Sequence, residues 1–288
     1  VCSSDLHDIL VYDCVDLDWA YSSVALRRKA LKHWHKYLLR RADIVFFSMK
    51  SQFDEAQKAR SGCYFVPNAC SLVHFDISAP CPPALQAIPG PRIGFIGAML
   101  KKRFAAKIIK AAAARRPQWS FVLIGEADKN IEHLLRSLPN IHLPGRFPHS
   151  EMPAFVAHFD ICLIANVFDD ELSFGFPKKL YEYLASGKPI VATPMPEVRP
   201  FAPLIKLAGA SDELVAKIEE CLTENADPER SARLRAERQA LARRNTWPER
   251  VEKIVAILNS ELHARGYSSP SETSNYRHDQ PCHHHSKL

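Results

Sequence analysis

The chain has 288 residues, 47% of them hydrophobic and 24% charged, with Lys+Arg 38 against Asp+Glu 32 and a net charge of +6. At about 150 residues per domain this is room for two domains, or one and a half, of ordinary globular composition. So mild a charge does not by itself indicate nucleic acid, although it suits anionic ligands or an anionic membrane surface.

No apolar run approaches the ~18 residues of a membrane span, and no basic-then-apolar signal pattern opens the chain, so neither a span nor export is expected. Eight cysteines without a C-x-x-C pair point to reduced thiols and a cytoplasmic location. The chain starts at Val1, and "VCSSDL" fits poorly with the strand-like run that follows, so a fragment is expected.

Short apolar runs alternate with helical segments, the pattern of parallel sheets covered by helices on both faces. The first runs are "ILVY" (9 to 12), "IVFFS" (44 to 48) and "YFVP" (64 to 67). Between the first two lies "ALRRKALKHWHKYLLRRAD", with seven Lys or Arg before its only acid, Asp43. Its helical stripe of Leu26, Ala30, Trp34, Tyr37 and Leu38 either packs on the sheet or, with the cations, meets an anionic membrane. Three strands are too few for a doubly wound sheet, so residues 1–78 are expected to be part of a domain that has lost its beginning.

The stretch "SAPCPPALQAIPGP" carries five prolines in fourteen residues, and a linker is expected over 79–91. Six more strand candidates then suffice for a complete domain over 92–245: "RIGFIG" (92 to 97), "FVLIG" (121 to 125), "IHLPG" (141 to 145), "ICLIA" (161 to 165), "IVAT" (190 to 193) and "IKLA" (205 to 208). From Ser211 the pattern is helical. A final helix, 246–263, has Thr246 as N-cap and Trp247, Val251, Ile254, Val255 and Leu258 on one face, and is expected to pack back towards the first domain. The tail 264–288 is too polar to fold, and its Cys282, His283, His284 and His285 have no rigid backbone to make them a metal site.

Ligands of open parallel sheets bind beyond the carboxyl ends of the strands. After "RIGFIG", Gly94 and Gly97 allow a tight turn, and Lys101, Lys102 and Arg103 supply cations for a phosphate. After "ICLIA" a long loop leads into "FPKKLYEYLASGKPIVAT", where Pro177 starts a helix with Lys178 and Lys179 in its first turn. Cations there oppose the helix dipole unless an anion binds. Glu182, one turn on, can accept hydrogen bonds from vicinal hydroxyls or simply pair with Lys178. A core needs only Leu180, Tyr183 and Leu184 from this helix.

The succession "GFIGAM", "RRPQWSFVLIG", "LPNIHLPGRFPHSEMPAFVAHFDICLI", "ELSFGFPKKLYEYLASGKPIVAT" and "NTWPERVEKI" resembles the GT-B glycosyltransferases of the GT4 type, in their bacterial polysaccharide and cell-envelope branch. "VYDCVD", "ADIVFFSMKSQFDEA" and "VPNACSLVHF" look like the end of that family's first domain. The resemblance implies two Rossmann-like α/β domains, the first incomplete, and a hexosyltransferase (EC 2.4) that retains anomeric configuration. It implies a UDP- or GDP-sugar donor, a saccharide or lipid-linked acceptor and no essential metal; a lipid-linked acceptor would give a use to the membrane reading of residues 25–41, that of a cytoplasmic enzyme also held peripherally on the inner membrane face.

The same resemblance places Arg103 and Lys179 by the diphosphate, Glu182 on the ribose, Gly97 where backbone approaches the phosphates, and Arg146 and Phe147 near the base. Glu171 matches the acid that helps hold the donor sugar, and Asp13 and Asp16 lie on the acceptor side. Two other readings stay open: a fragment that binds nucleotide sugars without turnover, and an epimerase of the same architecture.

Overall fold

The computed structural model describes residues 9–15, 24–72, 79–101, 103–167 and 176–266. Residues 1–6, Asp16, Lys102, Glu171 and the tail with Cys282, His283, His284 and His285 lie outside the described residues.

All nine expected strands form, in two parallel sheets. Strands β1 (Val11–Cys14), β2 (Ile44–Phe47) and β3 (Cys63–Phe65) pair in the order β1-β2-β3. Strands β4 (Arg92–Ile96), β5 (Ser120–Ile124), β6 (Ile141–Gly145), β7 (Ile161–Ile164), β8 (Ile190–Ala192) and β9 (Lys206–Leu207) pair in the order β6-β5-β4-β7-β8-β9. Strand β1 starts two residues after its apolar run does. Leu10 is already engaged with Asp43, donating its N–H to the carboxylate at 2.8 Å and accepting the Asp43 N–H at 2.8 Å.

The six-stranded sheet is covered on both faces, which is why its strands read as continuous apolar runs. Val122, Ile124, Cys162, Ile164, Ile190 and Ala192 feed one core, with α3 (Pro83–Gln86), α6 (Met152–Ala157), α7 (Lys179–Ser186) and the end of α9 (Pro228–Arg243). The alternate residues Ile93, Phe95, Phe121, Leu123, Ile161 and Leu163 feed the other, with α4 (Ala106–Arg115), α5 (Lys129–Leu135) and α8 (Ser211–Ala226). That alternation is the period-two geometry of a strand.

Several local expectations need correction. Gly94 serves no turn: it lies inside β4, and a Cβ there would enter the Phe159 ring. The proline-rich stretch holds one short helix, α3, because Pro83 occupies its first position, where no N–H is needed. In α1 (Ala25–Arg41) no residue is buried, and Leu26, Trp34 and Tyr37 are 78%, 56% and 47% exposed, so of the apolar stripe only Leu38, partly buried, turns inward. In α10 (Trp247–Ala264), Trp247, Val251 and Val255 of the expected packing face are exposed as well. The chain divides after Arg250, inside α10, into two compact units.

Within residues 9–250, a few polar contacts join the loops of the two sheets. At the start of α2 (Lys50–Ala59), Ser51 Oγ and the Lys50 N–H donate to the Glu197 carboxylate at 3.2 and 3.4 Å. That helix has no side-chain cap of its own, so the carboxylate supplies the negative charge its N-terminus favours. Beyond β3, Cys70 N–H donates to Asn245 O at 3.1 Å, and Arg250 Nε donates to Pro67 O at 2.9 Å.

One buried ion pair organises the helices behind the sheet. Arg238 of α9 donates to both Glu224 oxygens of α8 at 2.7 and 3.1 Å, with side chains 3% and 1% exposed. It also donates to Leu204 O at 2.9 Å and to Gly187 O, at the carboxyl end of α7, at 3.3 Å. Removing one partner leaves a buried charge uncompensated. Glu224→Ala is therefore expected to lower unfolding free energy by about 3 to 5 kcal/mol in denaturant titrations, and Glu224→Gln by clearly less.

Candidate active site

The strand order reverses between β4 and β7, and in an open parallel sheet the loops leaving such a point diverge and open a crevice at the carboxyl ends. Here the two loops are stitched together above it. Ala105 N–H donates to Ala165 O at 3.0 Å, Val167 N–H donates to Arg103 O at 2.9 Å, and Phe104 bridges Asn166. Arg103 is thus held, partly buried, on the loop that follows β4.

Helix α7 enters the same place. Leu180, Tyr183 and Leu184 are buried at 0%, 1% and 0% exposure, as their spacing suggests. The Tyr183 hydroxyl accepts the Ile96 N–H at 3.0 Å, which fixes the helix to the end of β4. Lys178 is the exposed N-cap residue and Lys179 opens the helix, while Gly187 closes it in the left-handed region at φ 72.

The Lys179 ammonium lies 4.2 Å from the centroid of the Phe95 ring and directly against Gly97. A side chain at Gly97 would occupy the space the ammonium fills, and its φ of 148 is one that residues with a Cβ rarely adopt. A Cβ at Gly125, at φ 135 after β5, would likewise collide with the Gly97 carbonyl. Although Lys179 keeps some exposure as a residue, its ammonium is desolvated. Burial pulls it from 10.5 down to about 8, against the opposing pull of Glu182.

Glu182 is partly buried, and burial raises its carboxyl above the ordinary value, while His149, Lys179 and Lys178 work in the other direction. No Lys178–Glu182 ion pair forms among the described residues, so the simple helix-surface pairing is not what the structure adopts. The sequence reading missed His149, in the short turn His149–Glu151 that follows β6. Its only signal was a position just beyond a strand end, shared with Arg146 and Phe147.

Those two residues part company. Arg146 is exposed and lines a hollow of about 280 Å³ with Gly125, Glu126, Ala127 and Gly145, at the ends of β5 and β6. The Phe147 ring is instead 4.7 Å from that of Phe155 and belongs to the core, so it does not line this hollow. Glu126, also unanticipated, sits on its wall. Asp13 belongs to the other sheet, near the end of β1, and partial burial raises its carboxyl. Among the described residues no hydrogen bond or ion pair joins it to Lys179 or Glu182.

The geometry thus brings Lys179 against Gly97 and Glu182 within the field of His149, with Arg103 on the loop after β4 and Arg146 on the separate hollow beyond β5 and β6. Residues 90–224 match the family model described as Glycosyl transferases group 1. Over those residues the chain is similar to the group 1 glycosyltransferases.

It is 28% identical over 278 residues to the Bacillus subtilis (strain 168) protein named as the teichuronic acid biosynthesis glycosyltransferase TuaH, covering 89% of this chain and 68% of that one. Its fold, GT-B, is shared with Anabaena Alr3699/HepE, solved with UDP, at a TM-score of 0.68 and 18% identity over 87% of this chain and 72% of that one. Sucrose-phosphate synthase from Thermosynechococcus elongatus gives a TM-score of 0.68 and 16% identity over 88% of this chain and 68% of that one.

An ammonium held at about 8 in the folded chain and at 10.5 when unfolded binds fewer protons folded than unfolded between those values, so stability rises with pH through that window. Below it the penalty is complete. Lys179→Met is therefore expected to stabilise the ligand-free protein at pH 7, by on the order of 1 to 3 kcal/mol, with a smaller gain at pH 9. Thermal or denaturant unfolding at the two pH values reads this directly.

Proposed function

We propose that the chain is a group 1 glycosyltransferase that moves a sugar, with retention of configuration, from a nucleotide diphosphate sugar to a saccharide or lipid-linked saccharide in cell-envelope polysaccharide assembly. The observation that carries the reading is the desolvated Lys179 ammonium set against the Gly97 backbone at the switch point, with Glu182 one turn along the same helix. A buried cation at a helix N-terminus, with no ion pair among the described residues, is costly alone and becomes favourable when a diphosphate arrives.

In this reading Lys179 and Arg103 hold the diphosphate and Glu182 accepts hydrogen bonds from the ribose hydroxyls. Arg146 and the adjoining hollow face the base, and His149 moderates the charge on Glu182. UDP is the preferred base choice, because the Anabaena protein of the same fold was solved with UDP and with UDP-glucose. The envelope role draws on the teichuronic acid protein. Residues 92–245 serve as the donor-binding domain and residues 1–78 as the acceptor side, with Asp13 at its edge. Glu171 steadies the donor sugar.

The chemistry asks little of a protein nucleophile. An acceptor hydroxyl oxygen bonds to the anomeric carbon as the bond from that carbon to the β-phosphate oxygen breaks, and the hydroxyl proton passes to the departing diphosphate. Lys179 and Arg103 stabilise the charge that develops on the leaving group, which is electrostatic catalysis. The reaction takes place at the cytoplasmic face of an anionic membrane, met through α1. Among the described residues no helix is long and apolar enough to cross one.

Calorimetry with UDP and GDP tests the donor site. UDP is expected to bind, and Glu182→Ala to weaken it about 10- to 100-fold, the worth of a hydrogen bond to a charged group. UDP affinity should also fall above about pH 8 as Lys179 loses its proton, and should stay flat there in Lys179→Arg. Absence of heat with either nucleotide, or unchanged affinity in Glu182→Ala, overturns the site. Conversion of a UDP-sugar without any acceptor overturns transfer in favour of epimerisation.

A further inference from the structure

Helix α1 packs along one face and leaves the rest of its surface uncovered. At 100° per residue, Leu31, His35, Leu38 and Leu39, all partly buried, form the inner face, with His35 Nδ1 2.9 Å from the Tyr12 hydroxyl. The opposite side, turned to water, carries Leu26, Ala30, Trp34 and Tyr37, with the Trp34 and Tyr37 rings in edge contact at 5.6 Å.

Between these two surfaces runs a row of cations. Arg28, Lys32, Lys36 and Arg40 recur every fourth residue, about 6 Å apart along the axis. They border two hollows that share Lys36. One, of about 500 Å³, lies along the first half of the helix. The other, of about 620 Å³, lies between α1 and α2, with Leu39, Ala56 and Ala59 as its apolar floor and Arg60 at its far wall.

Among the described residues no acid lines either hollow and none of the seven α1 cations forms an ion pair. The Arg60 guanidinium is fixed in place, donating to Ser61 O at 2.9 Å, to Asp43 O at 3.1 Å and to Leu39 O. A guanidinium positioned before its ligand arrives loses less freedom on binding a phosphate.

We infer that this groove along α1 binds the phosphates of anionic lipids, while Leu26, Trp34 and Tyr37 enter the bilayer interface beside it. The inference rests on the membrane reading given above and refines it. A soluble polyanion would need the cations alone; the uncovered aromatic and aliphatic row beside them is what favours a lipid surface. The two outer cations Arg27 and Arg41 line neither hollow and supply attraction of a less specific kind.

The test is flotation of the full chain with phosphatidylcholine vesicles containing either phosphatidylglycerol or, at matched surface potential, oleic acid. The protein is expected to bind both and to prefer phosphatidylglycerol. Lys36→Gln with Arg40→Gln should lose about 30-fold of that binding, from about 1 kcal/mol per basic residue, with unchanged melting temperature and UDP affinity. Arg27→Gln with Arg41→Gln should lose clearly less.

Equal losses from the two pairs, or equal binding of both vesicle types, overturn the groove and leave general membrane attraction standing. Absence of binding to either vesicle overturns the membrane reading itself. Polygalacturonate that binds more tightly than vesicles, and through Lys36 and Arg40, reassigns the groove to acidic saccharide and overturns the lipid.

Discussion

The site depends on one desolvated cation being held where it would not otherwise stay. Lys179 sits over Phe95 and against Gly97, and burial lowers its affinity for a proton. Such a position costs free energy in the empty protein, so the scaffold around it has to over-determine the helix that bears it. Three contacts do so. Tyr183 ties the middle of α7 to Ile96, the buried pair Arg238–Glu224 reaches the Gly187 carbonyl at its far end, and its apolar face is buried throughout. Strain stored at one end of an eight-residue helix is thus met by packing and ion pairing along the rest.

This arrangement joins parts of the chain that are far apart in sequence. Glu224 and Arg238 lie some way beyond the crevice, yet they hold α7 at the angle that brings Lys179 to Gly97. From the other sheet, the loop after β3 carries Cys70, whose thiol is pushed up to about 11 by burial and then by the Glu182 charge. Glu197, capping α2, adds a contact between the same two sheets. The glycines beyond β4 and β5 act in the opposite sense: they keep side chains away so that backbone and ammonium can meet.

How much of this was legible in the sequence follows from the range of the interactions. Strands announce themselves through local apolar runs, and all nine form, with β1 displaced because Leu10 is claimed by Asp43 from 33 residues away. Lys179, Glu182 and Gly97 were readable since each sits at a fixed offset from a strand or helix end. His149 and Glu126 were not, because only the turn geometry after β5 and β6 decides which of several neighbouring polar residues faces the crevice. Phe147 shows the same limit in reverse: an aromatic residue beyond a strand end satisfies itself equally well against Phe155. Periodicity likewise located the apolar row of α1 and could not say on which side the sheet would lie.

The charge distribution gives that last point its weight. Helix α1 carries seven Lys or Arg and no acid, and the whole chain has a net charge of +6, so everything outside this helix has a net charge of −1. The excess positive charge is therefore concentrated on one helix. An exposed pair of charges is screened beyond about 8 Å at physiological salt, so a uniform excess would give only weak, diffuse attraction. Seven cations within about 25 Å of helix act together on whatever surface lies within that screening length. Their field is short-ranged, and its main row runs beside Leu26, Trp34 and Tyr37 on the same helix. A surface that satisfies both must be anionic and able to take up apolar side chains, and the donor crevice on the other sheet, with its own buried cation, competes for neither.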